Sequence, residues 1–99
     1  MTTISYKRTG GPLGSEIAAT FDLNDLPTGD ARRIQDLIDR SNFFEIPAVD
    51  AAPSGPDEFV YTLTIVSGNA IHTVRATDSL MPRALRPLIQ DLNELANGH

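Results

Sequence analysis

Between Thr3 and Thr9 the apolar side chains of Ile4 and Tyr6 alternate with Ser5 and Lys7, the period of a half-buried strand. Gly10-Gly11-Pro12-Leu13-Gly14 interrupts it, because three glycines and a proline in five residues cannot continue a ladder but readily supply turn conformations. Alternation resumes from Ser15 to Phe21, with Ile17, Ala19 and Phe21 on one face, so the two segments predict a β-hairpin. Asn24 to Asp30 is dense in turn and cap formers, which sets a helix start near Thr28. Ala31, Ile34, Leu37 and Ile38 then recur at helical spacing under an outer face of Arg32, Arg33, Gln35, Asp36, Asp39 and Arg40. The helix is expected to end near Ser41-Asn42, followed by an apolar clasp of Phe43, Phe44 and Ile46 that Pro47 stops.

The second half repeats this plan. After a long loop from Ala48 to Asp57, Glu58 to Val66 carries Phe59, Tyr61, Leu63 and Ile65 on one face and Val60, Thr62, Thr64 and Val66 on the other. Such two-sided character predicts a central strand with neighbours on both sides. Ser67-Gly68-Asn69 is its hairpin turn and Ala70 to Ala76 the partner strand. Leu85, Leu88, Ile89, Leu92 and Leu95 form the stripe of a last helix ended by Asn97-Gly98. Pro82 suits the first turn of that helix, whereas Pro87 must kink it or mark its true start. The expected fold is α+β, in the order ββαββα: a four-stranded antiparallel sheet with both helices packed on one face and the opposite face solvated. One domain over residues 1–99 is expected.

Composition narrows the function more than the fold. Eight basic and 13 acidic side chains give a net charge of −5, which disfavours a phosphate backbone as partner, so nucleic acid is not expected. The longest apolar stretches are four or five residues, far short of a membrane span. The start from Met1 to Lys7 has neither a basic nor an apolar signal region, and there is no cysteine, so a cytoplasmic location is expected.

Catalytic chemistry finds little to build on. His72 lies in a strand and His99 ends the sequence; no metal-ligand spacing joins them to each other or to a carboxylate pair. No serine sits in a nucleophile elbow, and the acidic residues cluster at caps and outer helix faces. The Gly10–Gly14 segment lacks the Lys-Ser/Thr ending of a phosphate loop and connects two strands instead of opening a helix. No enzyme activity, metal or cofactor is therefore expected. The same segment has two readings: a hairpin turn, or an apolar plug in which Leu13, stiffened by Pro12 and the glycines, enters a partner's pocket. The Ala48–Asp57 loop, with Pro53 and Pro56, is a second candidate contact.

Several runs in order resemble one family. These are Thr9-Gly10-Gly11 with Leu13-Gly14, Asp25-Leu26-Pro27, Asn42-Phe43-Phe44-Glu45-Ile46-Pro47, Pro56-Asp57-Glu58-Phe59-Val60-Tyr61, Met81-Pro82 and Leu85-Arg86-Pro87-Leu88-Ile89. Together they look like the emfourin family, small bacterial inhibitors of thermolysin-like zinc metalloproteases of the protealysin type. The resemblance implies a protein partner, such a protease, whose active-site cleft the loops block, with no cofactor of the inhibitor's own. Thermolysin-like enzymes favour a bulky apolar residue just after the scissile bond, so Leu13 is the side chain expected to meet that pocket. Gly10, Gly11, Pro12 and Gly14 would present it, and Ser54, Asp57 and Glu58 would add contacts from the second loop, Asp57 or Glu58 approaching the enzyme's zinc. The rival reading is a non-catalytic adaptor or homodimer that uses the open sheet face, which a large exposed apolar patch there would favour.

Overall fold

The computed structural model describes residues 2–11, 14–47 and 58–96. Strands β1 (Thr2–Gly10) and β2 (Ser15–Asp22) form the first hairpin, and helix α1 (Thr28–Ser41) follows. Strands β3 (Phe59–Ser67) and β4 (Ala70–Thr77) form the second hairpin, and helix α2 (Arg86–Ala96) follows it. All pairings are antiparallel and the strand order is β2-β1-β3-β4, an α+β fold in the expected element order. β3 is central, as its two-sided pattern predicts, and β1 shares the centre with it.

The alternation read from sequence decides which face is covered. Ile4 and Tyr6 of β1 are buried while Ser5 and Lys7 are exposed. Across the sheet Tyr6 stands opposite Leu63, which stands opposite Val74, and Ile4 stands opposite Ile65. These residues join Ile34 and Ile38 of α1 and Leu88, Ile89 and Leu92 of α2 in one core. Both helices therefore cover the same face. Each of these aliphatic side chains contributes about 1.5–3 kcal/mol by leaving water, which is what holds two short helices on the sheet.

The helix ends follow local chemistry. Asn42 takes the left-handed conformation at φ 52° that closes α1, a conformation asparagine tolerates better than most residues. Pro87 marks the true start of α2, lying in its first turn where a missing N–H costs nothing. Pro82 does not belong to that helix. It precedes a 3-10 turn at Arg83–Leu85, closed by the Leu85 amide on the Pro82 carbonyl at 3.0 Å. An uninterrupted α-helix from Pro82 would need a hydrogen bond from the nitrogen of residue 87, and proline has none to give.

The uncovered face is largely hydroxylic, carrying Ser5, Thr62, Thr64 and Thr73, with the hydroxyls of Thr64 and Thr73 2.8 Å apart. Lys7 and Glu16 form an exposed ion pair across it. Its large exposed hydrophobic residues are Val66 and Ile71, directly opposite one another near the Gly68 turn. Among the described residues no helix is long and apolar enough to cross a membrane.

Candidate functional site

Antiparallel pairing brings the β1–β2 turn, the start of β3 and the end of β4 to one end of the sheet. This rim gathers Gly10, Gly11 and Gly14 with Glu58, four of the residues expected to bind a partner. Pro12, Leu13, Ser54 and Asp57 lie outside the described residues, as does the rest of the Ala48–Asp57 loop.

The contact between the two segments is close. The Gly11 amide donates to the Glu58 carbonyl at 3.4 Å, and Gly14 returns a bond to the Gly11 carbonyl at 3.1 Å. Gly10 and Gly11 have φ of 93° and 78°, the left-handed side that side chains resist. Space is limiting too: a Cβ on Gly10 would sit 2.8 Å from the Glu58 carbonyl oxygen, and one on Gly11 2.3 Å from the Phe59 ring. The paired glycines thus serve more than a turn. They let the end of β1 lie against the backbone and ring that open β3.

Phe59 has further partners. The Arg8 guanidinium lies 4.5 Å from the ring centroid and donates to Asn93 Oδ1 of α2 at 2.9 Å. The Tyr6 hydroxyl donates to the same Asn93 oxygen at 3.0 Å. Asp78, just after β4, accepts from the Phe59 amide at 3.0 Å and from the Tyr61 hydroxyl at 2.8 Å. Ser79 Oγ donates to the Glu58 carboxylate at 3.1 Å. Four segments distant in sequence, in β1, β3, the turn after β4 and α2, are thereby tied together.

Arg8, Phe59, Asp78 and Asn93 are the members that sequence reasoning did not single out. A signal existed for Arg8: it has the parity of Ile4 and Tyr6, so it is a charge on the covered side of a strand. Asp78 follows directly on β4, and nothing local in the sequence marks it as a clamp on the start of β3.

The tyrosines register this environment. Burial pushes the Tyr6 phenol up to about 12 from an ordinary 10.0, with the Arg8 charge opposing. Tyr61 is likewise pushed up to about 12, chiefly by burial and then by its bond to, and the charge of, Asp78. A phenol whose folded pKa is raised contributes stability that is complete below the unfolded value and lost as pH climbs through the folded one. The tyrosine contribution to stability should therefore be level up to about pH 10 and fall between about pH 10 and 12. Since the chain has two tyrosines and no tryptophan, an ultraviolet tyrosinate titration reads both directly. Half-ionisation near pH 10 in the folded protein would contradict the described packing.

His72 takes a structural position: its Nε2–H donates to the Ile46 carbonyl at 2.6 Å, and its ring packs edge-on to Phe43. Among the described residues no three histidine or acidic side chains gather closely enough to hold a metal ion. Beside the rim runs a mostly apolar groove of about 420 Å3, bounded by Ile46, Pro47, Val74, Leu80, Met81 and Pro82.

The sequence model of the emfourin family matches residues 6–93, from the middle of β1 to Asn93 in α2. No curated protein and no solved structure matches the chain significantly.

Proposed function

Because the chain belongs to the emfourin family, whose members are metalloprotease inhibitors, we propose that it inhibits a thermolysin-like zinc metalloprotease by inserting the rim loops into the active-site cleft. The observation that carries this reading is the joining of the Gly10–Gly14 hairpin to Glu58 through the Gly11 amide and the Phe59 ring. An inhibitor gains from a projection whose ordering cost is met before binding, and Gly10 and Gly11, tied to the start of β3, anchor the base of the segment that carries Leu13. Leu13 is the side chain that fills the apolar pocket beyond the scissile bond. Glu58, with Ser54 and Asp57 from the adjoining loop, lines the second side of the contact and brings carboxylates near the enzyme's metal. The partner is a protein, and the inhibitor contributes binding and exclusion of substrate in place of chemistry.

The open face is a poorer partner surface, since among the described residues hydroxyls and charged groups such as the Lys7–Glu16 pair line it and its exposed apolar residues stand at the far end from the rim. Titrating a thermolysin-like protease with wild type and Leu13→Asp tests the proposal. Wild type should inhibit, and the variant should bind roughly tenfold to a hundredfold more weakly because a charge enters an apolar pocket. Equal potency of the two would remove the tip from the mechanism.

A further inference from the structure

The turn after β4 holds a leucine in a way that packing alone does not explain. Leu80 is 62% exposed. Its backbone is nevertheless fixed three times over: the Leu80 amide donates to the Thr77 carbonyl at 3.2 Å and to Thr77 Oγ1 at 3.1 Å, and the Thr77 amide donates back to the Leu80 carbonyl at 3.3 Å. Thr77 itself is completely buried, so the turn stands on the core. Exposed surface turns are usually polar and mobile. This one is pinned to the core and presents a large apolar side chain, followed by Met81 and Pro82 along the groove.

Its place in the fold joins it to the rim. Asp78 and Ser79, the two residues before Leu80, hold Phe59 and Glu58, and Glu58 in turn receives the Gly11 amide. The sheet order sets the distance: two inter-strand spacings of about 4.8 Å separate β1 from β4, so the Gly10–Gly11 end of β1 and the end of β4 lie roughly 10 Å apart. A stable protein–protein contact covers about 800 Å2 on each partner, a patch on the order of 25–30 Å across. A protease seated on the tip and Glu58 therefore extends over the turn at Leu80.

We propose that Leu80 is a second apolar anchor of the same inhibitory surface, seated with the adjoining groove against an apolar part of the protease beside its cleft. The inference rests on the proposed inhibitory function and adds to it a contact independent of Leu13. A preformed leucine at the flank of the tip enlarges the area emptied of water without adding an ordering cost. It also widens the basis of selectivity, since a protease that accepts Leu13 in its pocket must also offer a complementary surface to Leu80.

The experiment compares inhibition of thermolysin and of a protealysin-type enzyme by wild type, Leu80→Asp, Leu80→Ala and Ile71→Asp. Ile71 is 68% exposed but lies at the opposite end of β4 on the open face, so it controls for the loss of any surface hydrophobe. Leu80→Asp should raise the inhibition constant at least about tenfold and Leu80→Ala several-fold, while Ile71→Asp stays within about twofold. Thermal midpoints of all variants should match wild type, since each site is on the surface. Wild-type inhibition with unchanged potency in both Leu80 variants overturns this inference alone. An inactive wild type against both enzymes overturns the inhibitory function and the anchor with it. A loss as large in Ile71→Asp as in Leu80→Asp moves the contact to the sheet face and also overturns it.

Discussion

Gly11→Ala is expected to destabilise the protein by about 2–3 kcal/mol and to weaken inhibition at the same time. About 1–2 kcal/mol arises from placing a Cβ at a φ of 78°. The remainder comes from displacing the Phe59 ring, whose nearest atom would lie 2.3 Å from the new methyl. Moving that ring also pulls it from Arg8 and disturbs the contact between the end of β1 and the start of β3. Gly14→Ala provides the comparison, because Gly14 shares the conformational problem at φ 60° but a Cβ there meets nothing within 4 Å. It should lose only the conformational part. For a domain of this size each kcal/mol lowers the thermal midpoint by about 4–8 °C, so calorimetry separates the two variants. Equal shifts would show that the ring contact contributes nothing.

Phe43→Ala should cost more, about 3–5 kcal/mol, out of a total that for such domains is about 5–15 kcal/mol. Phe43 is 1% exposed, meets His72 edge-on at 5.5 Å and Phe44 at 5.6 Å, and stands in the core beneath the turn that follows α1. Its removal leaves a cavity that rigid helix and sheet neighbours cannot refill. Phe44→Ala, at a position 38% exposed, should cost far less. Denaturant unfolding of both variants checks the ranking, and similar midpoints would contradict the burial described for the pair.

That pair illustrates what sequence can and cannot carry. The run Phe43-Phe44-Glu45-Ile46-Pro47 reads as an apolar clasp, but it has no helical or strand period, so nothing in it says which ring turns inward. The answer depends on the 3-10 turn at Phe43–Glu45, whose orientation is fixed by the left-handed Asn42 before it. By contrast, Ile4 and Tyr6, Leu63 and Ile65, and Leu88, Ile89 and Leu92 declare their face through strict periodicity, and all are buried. Periodic burial is a local property of the chain and is legible. Pairing of segments far apart is not: Asp78 meets Phe59 only once β3 and β4 pair, and Arg8 meets Asn93 only once α2 packs on the sheet.

The same distinction applies to the rim. Gly10 and Gly11 are recognisable as turn formers, yet their tighter requirement, room for the Phe59 ring and the Glu58 carbonyl, comes from the other half of the molecule. Leu80 lies between the last strand pattern and the last helical stripe and carries no period of its own. Its exposure and its three hydrogen bonds to Thr77 are properties of the assembled turn.

The strand order β2-β1-β3-β4 divides the molecule into two hairpin–helix halves whose first strands meet in the middle, Thr2 opposite Ser67 through to Gly10 opposite Phe59. Neither half owns the rim. Gly11 and Arg8 belong to the first, Glu58, Phe59, Asp78 and Leu80 to the second, and the surface comes into being when the central ladder closes. Under the proposed function the rim is thus a coincidence detector for complete folding: a nascent chain with only one half in place would have no complete rim to show a protease, and so no inhibition to exert before the whole molecule is made.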